Sequence, residues 1–386
     1  MMSEKKIPYG KQVIDERDIA AVCDVLRSDW LTTGPAVEEF ERALSRYVGA
    51  EHGVAVSSGT AALHCAMHAV NIRKGDEVIV PTMTFAATAN SIVFQGGIPV
   101  FADVIPDTFL VDPECVKKLI TPKTKAIVAV DYAGQPCDYE ALRSIADLNN
   151  LVLLADSCHA LGAKYQDKYL GSLADITVFS FHPVKPITTG EGGMAVTDND
   201  EYAKRMRLFR NHGISTDFRE REKQGSWYYE MIDLGVNYRI SDIQCALGIS
   251  QLKKISFFLQ RREYLASLYN DLLAGLQSVM PLAVRNDIRH AWHLYVVKVS
   301  DADFRQILFN ELRSVGIGVN VHYMPVHLHP YYLKNHATKK GLCPVAEKEY
   351  QHILSLPIWP GMDEENVCTV IKALKELTAG PKKEKF

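Results

Sequence analysis

Lys185 lies between Pro183 and Pro186 in the stretch Asp175 to Gly193, DITVFSFHPVKPITTGEGG. Proline fixes φ and has no backbone donor, so neither a regular helix nor a central strand continues through these residues. The lysine therefore sits on a stiff turn just past the apolar, strand-like residues Ile176, Val178 and Phe179, and Gly190, Gly192 and Gly193 after it allow close backbone approach. An amine so placed is either an ordinary surface lysine or, if burial lets it lose its proton near neutral pH, a nucleophile and base. The second role needs partners, and the chain offers several. Asp156 ends the apolar run LVLLA, with His159 three residues on; Ser180 precedes the lysine on its strand; Ser58, Gly59 and Thr60 make a small polar turn between GVAV and a helical stretch; Phe85 follows PTMT.

Together these are the groups that pyridoxal 5'-phosphate chemistry requires: a lysine to bond the cofactor, a carboxylate for the pyridine nitrogen, an aromatic face, and donors for the phosphate. Asp156 suits the ring nitrogen better than it suits a helix cap, because it shares its strand-end position with the lysine. Ser58 to Thr60 at a helix start are equally a plain N-cap and an anion site, where unpaired N–H groups and the helix dipole favour phosphate. Phe85 is either a ring-stacking residue or a core phenylalanine, His159 either a neighbour of the ring hydroxyl or a satisfied core histidine, and Asn237 either a phosphate donor or a turn residue. His322, His327 and His329 have no regularly spaced carboxylate and are interrupted by prolines, so no metal is expected.

The elements that must position these residues follow from periodicity. Short apolar runs at Val54–Val56, Val78–Val80, Val100–Val104, Ile127–Val130, Leu151–Ala155 and Ile176–Phe181 alternate with helical stretches, among them Tyr139–Leu148 and Glu201–Arg210. Strands buried on both faces and separated by helices specify a mostly parallel α/β sheet sandwiched by helices, whose ligands collect at the carboxyl ends of the strands. Pro35 opens a helix with Val37, Phe40, Leu44 and Tyr47 on one face. A long amphipathic helix is expected from Ser241 or Asp242 to about Ile255, with the domain boundary at its end: a large domain over 1–255 and a small α+β domain over 256–386. In the latter, Ala291–Val299 and Val319–Pro325 read as strands and Phe304–Val315, Val345–Leu354 and Glu365–Leu377 as helices. The Gly213–Asp233 stretch, with Trp227, Tyr228 and Tyr229, reads as a lid or an insertion, and AGPKKEKF as a fraying end.

Composition narrows the classes. The net charge of −3 gives no electrostatic footprint for nucleic acid or an anionic membrane surface, and no run approaches a membrane span. The 8 cysteines are scattered without a CxxC pair, as in a reduced, cytoplasmic enzyme.

The ordered set SSGTAAL, PTMTF, DSCHA, SFHPVK, GEGG and VNYRISDIQCALG resembles, over nearly the whole chain, the DegT/DnrJ/EryC1/StrS sugar aminotransferases. The resemblance implies a fold-type-I pyridoxal phosphate enzyme, with Lys185 and Asp156 catalytic and Ser58, Gly59, Thr60, Phe85, His159 and Ser180 holding the cofactor. It also implies a homodimer with shared active sites, in which Asn237 reaches the neighbouring subunit's phosphate. By the same resemblance Tyr9, Trp30, Leu31, Thr32, Thr33, Ser58, His322, Tyr323, Met324 and Pro325 are sugar-nucleotide contacts. Pro186 after the lysine is similar to the group within the family that serves the pseudaminic acid pathway. That group transfers an amino group from L-glutamate to C4 of a UDP-linked 4-keto-6-deoxy-N-acetylhexosamine. Alternatives are amination of a different nucleotide-linked keto sugar, a sugar dehydratase (which in this family replaces the lysine by histidine), an amino-acid lyase, or a non-catalytic regulator on the same scaffold.

Overall fold

The computed structural model describes residues 6–216, 221, 223 and 225–378; the expected fraying end AGPKKEKF and part of the Gly213–Asp233 stretch lie outside them. At its centre is a sheet of seven strands: β1 (His52–Val56), β2 (Glu77–Pro81), β3 (Ile98–Ala102), β4 (Thr124–Val130), β5 (Val152–Asp156), β8 (Ile176–Ser180) and β9 (Gly193–Thr197). The spatial order is β1-β9-β8-β5-β4-β2-β3. β3, β2, β4, β5 and β8 are parallel, while β9 runs antiparallel to both its neighbours. The sheet is therefore mostly parallel, as its doubly buried apolar runs require. A small ribbon of β6 (Lys164–Tyr165), β7 (Lys168–Tyr169) and β11 (Ile288–Arg289) lies apart from it.

Register brings the chemistry together. Val130 pairs with Asp156, and Asp156 with Val178, so β4 and β5 end level and β8 runs two residues further, to Ser180. On the other side Val56 pairs with Gly193, which sets the turn after β1 against the strand that follows the lysine loop. A Cβ on Gly193 would lie 2.4 Å from the Ser58 carbonyl oxygen, so only glycine permits this approach.

Helices cover the sheet: α1 (Glu16–Leu26), α2 (Pro35–Val48), α3 (Gly59–Ala69), α4 (Ala86–Phe94), α5 (Pro113–Leu119), α6 (Tyr139–Leu148) and α7 (Asp200–Phe209). α2 begins at Pro35 and buries Val37, Phe40 and Leu44 of the face that periodicity marks out, while Tyr47 is only half-buried and Val48 is buried beside it. The long helix expected after Ser241 is two helices, α8 (Asp242–Leu252) and α9 (Ile255–Leu273), broken at Lys253–Lys254. The break serves a buried charge: Asp18 is fully buried, and the Lys254 ammonium reaches its carboxylate at 2.5 Å, beside Ser250 and Gln251. A carboxylate taken from water needs such a partner.

α9 links two cores. Its Ile255, Phe258 and Leu259 join the cluster around the large sheet. Its Leu265, Ala266, Tyr269 and Leu273 pack in a second cluster with β12 (Tyr295–Val299), β13 (Ile353–Leu356), α10 (Ala302–Ser314) and α13 (Glu364–Thr378). β10 (Val279–Pro281), β12 and β13 form an antiparallel sheet there, and α11 (Pro330–Asn335) and α12 (Pro344–Glu349) complete the chain. Two expectations are corrected. Val319–Pro325 is not a strand but irregular chain with one bridge, Asn320 to Ser355; the Asn320 side chain bonds the next backbone N–H and His322 bonds Ser355, which competes with ladder pairing. Val345–Leu354 is not one helix: α12 ends at Glu349 and Ile353–Leu356 pairs with β12, where burial on the sheet overrides local pattern.

Candidate active site

The ends of β4, β5 and β8 open into a cavity of about 690 Å³ whose lining includes Lys185, Asp156, His159, Ser180, Phe85 and the Ser58–Thr60 turn. The lysine loop is tied down by its own residues: the Lys185 backbone N–H donates to the His182 carbonyl at 2.9 Å, and the Thr188 hydroxyl and Thr189 N–H both donate to the Phe181 carbonyl at 3.0 Å. Burial lowers the pKa of the Lys185 amine from the ordinary lysine value, with Cys158 and Asp156 acting in the opposite sense. The side chain is thus nearer to the unprotonated, nucleophilic form than a surface lysine.

Asp156 is buried at the end of β5, where the Thr88 hydroxyl donates to Oδ2 at 2.7 Å and the Cys158 N–H to Oδ1 at 3.2 Å. Thr88 in turn pairs with Thr84. Among the described residues Asp156 forms no ion pair, so a buried carboxylate is held in place with room for a cation to face it. Ser58 is the N-cap of α3 and accepts from the Ala61 N–H at 3.0 Å. The plain-cap and anion-site readings of this turn are therefore compatible: the cap fixes the helix, and the first-turn N–H groups of a helix have no intrahelical acceptor. Gly59 is required at this place, because a Cβ there would lie 2.9 Å from the Ser180 Cβ. Phe85, the N-cap residue of α4, is 59% exposed and is not a core phenylalanine; its ring lies 5.9 Å from that of Tyr323.

His159 is buried, and its Nε2 lies 2.9 Å from the Tyr323 hydroxyl while its Nδ1 has no partner. Burial, and then the nearby Lys185 and His322, push it well below the ordinary histidine range, so the ring is neutral. His293, which the sequence did not single out, lines the same cavity with its ring 4.4 Å from that of His159 and its Nδ1 also unpartnered. Its flanking residues read only as a strand, and no spacing marks it. Cys158, Thr88 and Asn320 are likewise contributions of the fold rather than of a visible motif. Two orphaned buried nitrogens, an unpaired carboxylate, a depleted lysine and a glycine-cradled helix start match the polar groups of a phosphorylated pyridine aldehyde.

Of the expected sugar contacts, Tyr9, Ser58, His322 and Tyr323 line this cavity. Trp30, Leu31, Thr32, Thr33, Met324 and Pro325 are not among its lining residues, nor is Asn237. Thr33 instead lines a second cavity of about 570 Å³ with Glu41, Arg207, Arg210, Asn211 and Arg239. Thr32 is bridged to Ser241, and the exposed Asn237 to Asn211, at the edge of that region. His322 and His327 serve different partners, Ser355 for the first and Thr82 with Glu347 for the second.

Comparison with known proteins agrees with this geometry. Residues 12–375 match the model of the DegT/DnrJ/EryC1/StrS aminotransferase family. The spore coat polysaccharide biosynthesis protein SpsC of Bacillus subtilis is 40% identical, over 97% of each chain. Among solved structures, the Helicobacter pylori PseC, an aminotransferase of pseudaminic acid biosynthesis, superposes with a TM-score of 0.91 at 34% identity, covering 97% of this chain and all (100%) of that one. The putative sugar aminotransferase Spr1654 of Streptococcus pneumoniae, in its pyridoxal phosphate form, gives the same TM-score of 0.91 and 34% identity over 97% and 99%. With the lysine turn, the strand-end carboxylate and the matched span in agreement, the chain belongs to the DegT/DnrJ/EryC1/StrS family and is a pyridoxal phosphate-dependent aminotransferase.

Proposed function

We propose that this enzyme transfers the amino group of L-glutamate to C4 of a UDP-linked 4-keto-6-deoxy-N-acetylhexosamine, giving UDP-4-amino-4,6-dideoxy-N-acetyl-β-L-altrosamine for pseudaminic acid synthesis. The observation that carries the reading is the lysine turn SFHPVKPITTGEGG in a chain whose fold follows that of PseC along 97% of its length. The likeness to SpsC favours a second reading, a C4 aminotransferase for another nucleotide-linked keto sugar. The scaffold of a regulator would not need a lysine in the cavity beside a strand-end carboxylate, with its pKa lowered by burial.

Pyridoxal phosphate supplies the electron sink and carries the amino group between the two halves of the exchange. In this proposal Lys185 holds it at rest; Lys185 Nζ then takes a proton from Cα of glutamate and in the second half delivers one at C4 of the sugar, general-base work worth roughly 10²–10⁴-fold in rate. Asp156 would keep the ring nitrogen protonated, Phe85 would hold the ring, His159 would lie on the side of its hydroxyl, and Ser180 with Ser58–Thr60 would receive the phosphate. Tyr9, His322 and Tyr323 receive the sugar.

Both substrates are anions, yet among the described residues no arginine lines the Lys185 cavity. The second cavity gathers Arg207, Arg210 and Arg239 beside Asn211, to which Asn237 is bridged. We place this region against the Lys185 cavity of a second copy in a homodimer, where Asn237 and the guanidinium groups complete a shared site, with Trp30–Thr33 alongside. The division into a large cofactor unit, 1–255, and a small unit, 256–386, and a cytoplasmic location belong to the same proposal. All eight cysteines are free, and among the described residues no helix is long and apolar enough to cross a membrane. The deciding experiment supplies candidate UDP-4-keto sugars with L-glutamate and identifies the aminated product by NMR. Amination of another nucleotide sugar alone selects the second reading; transamination of amino acids with no sugar product rejects both.

A further inference from the structure

Away from the cavity, Thr82, His327 and Glu347 form a buried hydrogen-bonded row. His327 is fully buried; its Nδ1 lies 2.6 Å from the Thr82 hydroxyl and its Nε2 lies 2.9 Å from Glu347 Oε1. A carboxylate can only accept, so Nε2 carries a proton, and in the neutral ring Thr82 donates to Nδ1. Hydroxyl, imidazole and carboxylate are the parts of a nucleophilic triad, but Thr82 is completely buried and does not line the cavity, so no acyl or phosphoryl group can reach it. The row must act through position.

Its place in the fold shows what it positions. Residues 320–329 and the first turn of α11 lie across the residues that follow β2 and against the middle of α4. The Val326 N–H donates to the Thr82 carbonyl at 2.9 Å, and the Tyr332 hydroxyl donates to Asn90 at 2.7 Å. This strap carries His322 and Tyr323 into the cavity, and Tyr323 bonds His159. The element beneath it carries Thr84, Phe85 and Thr88, and Thr88 bonds Asp156. Glu347 is itself fixed by the N–H groups of Gly341 and Cys343, so it cannot follow a drifting imidazole. The two walls of the active site are thus pinned together at His327.

We propose that His327 is a positioning residue: bonded to Thr82 and Glu347, it holds the sugar-facing wall of His322 and Tyr323 at a fixed separation from the cofactor-facing wall of Phe85 and Asp156. The inference rests on the proposed aminotransfer to a sugar. Displacing one wall by about an ångström costs on the order of 10²-fold in a reaction that depends on alignment. Lys185, the phosphate turn and Asp156's other contacts belong to the sheet and α3, so cofactor retention and the glutamate half-reaction depend less on the strap than the sugar half-reaction does.

The test measures the two half-reactions separately in the holoenzyme and in His327→Leu, His327→Gln and Thr82→Val. The expected result for His327→Leu and Thr82→Val is an about 10- to 100-fold loss of kcat/KM toward the UDP-keto sugar, carried by kcat at least as much as by KM. The glutamate half-reaction should stay within about threefold of wild type, with an unchanged visible spectrum of the bound cofactor. His327→Gln, whose amide can still accept from Thr82 and donate to Glu347, should recover most of the loss. Equal losses in both half-reactions with release of cofactor, or no loss in either, overturn the proposal. Failure of the wild-type enzyme to aminate any keto sugar, with its glutamate half-reaction intact, instead overturns the functional reading on which it rests.

Discussion

The chemistry concentrates in a few side chains whose surroundings, more than their identities, set their roles. Lys185 is one of many lysines, but burial draws its amine toward the neutral form at the mouth of a glycine-rich turn. Lys185→Ala is expected to lower turnover by roughly 10²–10⁴-fold, and borohydride reduction followed by peptide mapping should then find no cofactor fixed to the chain. Trapping on another lysine in the wild-type enzyme would remove Lys185 from its role. Asp156 is held by Thr88 and the Cys158 N–H without an ion pair among the described residues. Asp156→Asn can keep the Thr88 bond while deleting the charge, so the cofactor should stay bound and turnover should fall about 10²-fold or more, because the lost effect is electrostatic. A variant with wild-type turnover would show that the carboxylate is only structural. Lys185 and Asp156 were legible because prolines and strand ends mark them. His293 was not: a buried histidine in an apolar run has no spacing that separates a cavity wall from a core.

Elements bring these residues within reach, and their success in the sequence depends on local rules. Strands β1, β2, β4, β5 and β8 were legible because strands buried on both faces read as continuous apolar runs. β9 was hidden by its glycine start, and the 319–325 segment was misread because its β-branched residues look like a strand while its polar side chains take the backbone groups. The turn proposed to receive the phosphate, Ser58–Thr60, depends on close approach between α3 and β8. Gly59→Ala would drive a Cβ to 2.9 Å from Ser180, so the turn or Ser180 must shift. Cofactor affinity should drop, and a 100-fold drop would remove up to about 2.7 kcal/mol of ligand-conferred stability, read as a smaller rise of Tm on adding pyridoxal phosphate. An unchanged rise would place the phosphate elsewhere. Behind the same turn, Glu41 of α2 accepts from the Ala55 N–H at 2.8 Å and pairs with Arg210, which also donates to the Ala55 carbonyl at 2.6 Å. Glu41→Ala leaves a half-buried guanidinium with, among the described residues, only the Ala55 carbonyl and should cost about 1–3 kcal/mol in denaturant unfolding; a loss below about 1 kcal/mol would mean that solvent already screens the pair.

At the scale of the whole molecule, the buried imidazoles make stability depend on pH. Burial lowers His64 and His322 to about 4 and His290 to about 3, with smaller contributions from His68 at His64 and Lys185 at His322. In the unfolded chain these rings take up a proton near the ordinary value of 6.5. Between that value and the folded ones the unfolded state binds more protons, so stability is fully present above about pH 6.5 and is lost as the pH falls toward 4 and then 3. Asp131 acts in the opposite sense. It is completely buried, bonded by Ser157, the Cys137 N–H and Tyr139, and burial raises it to about 6. From pH 6 to 4 the native state therefore holds a proton at Asp131 that the unfolded chain has released, which offsets part of the histidine loss. His159, His293 and His68 are lowered by burial in the same sense, so the imidazoles outweigh the one carboxyl and leave a net fall. Tm should decline from pH 7 to pH 4.5, the decline should steepen in Asp131→Asn, which removes the opposing carboxyl, and it should flatten in His64→Gln, whose amide cannot take a proton. A flat Tm over that range, or slopes that move the other way in the two variants, would show that the imidazoles reach water before the fold opens.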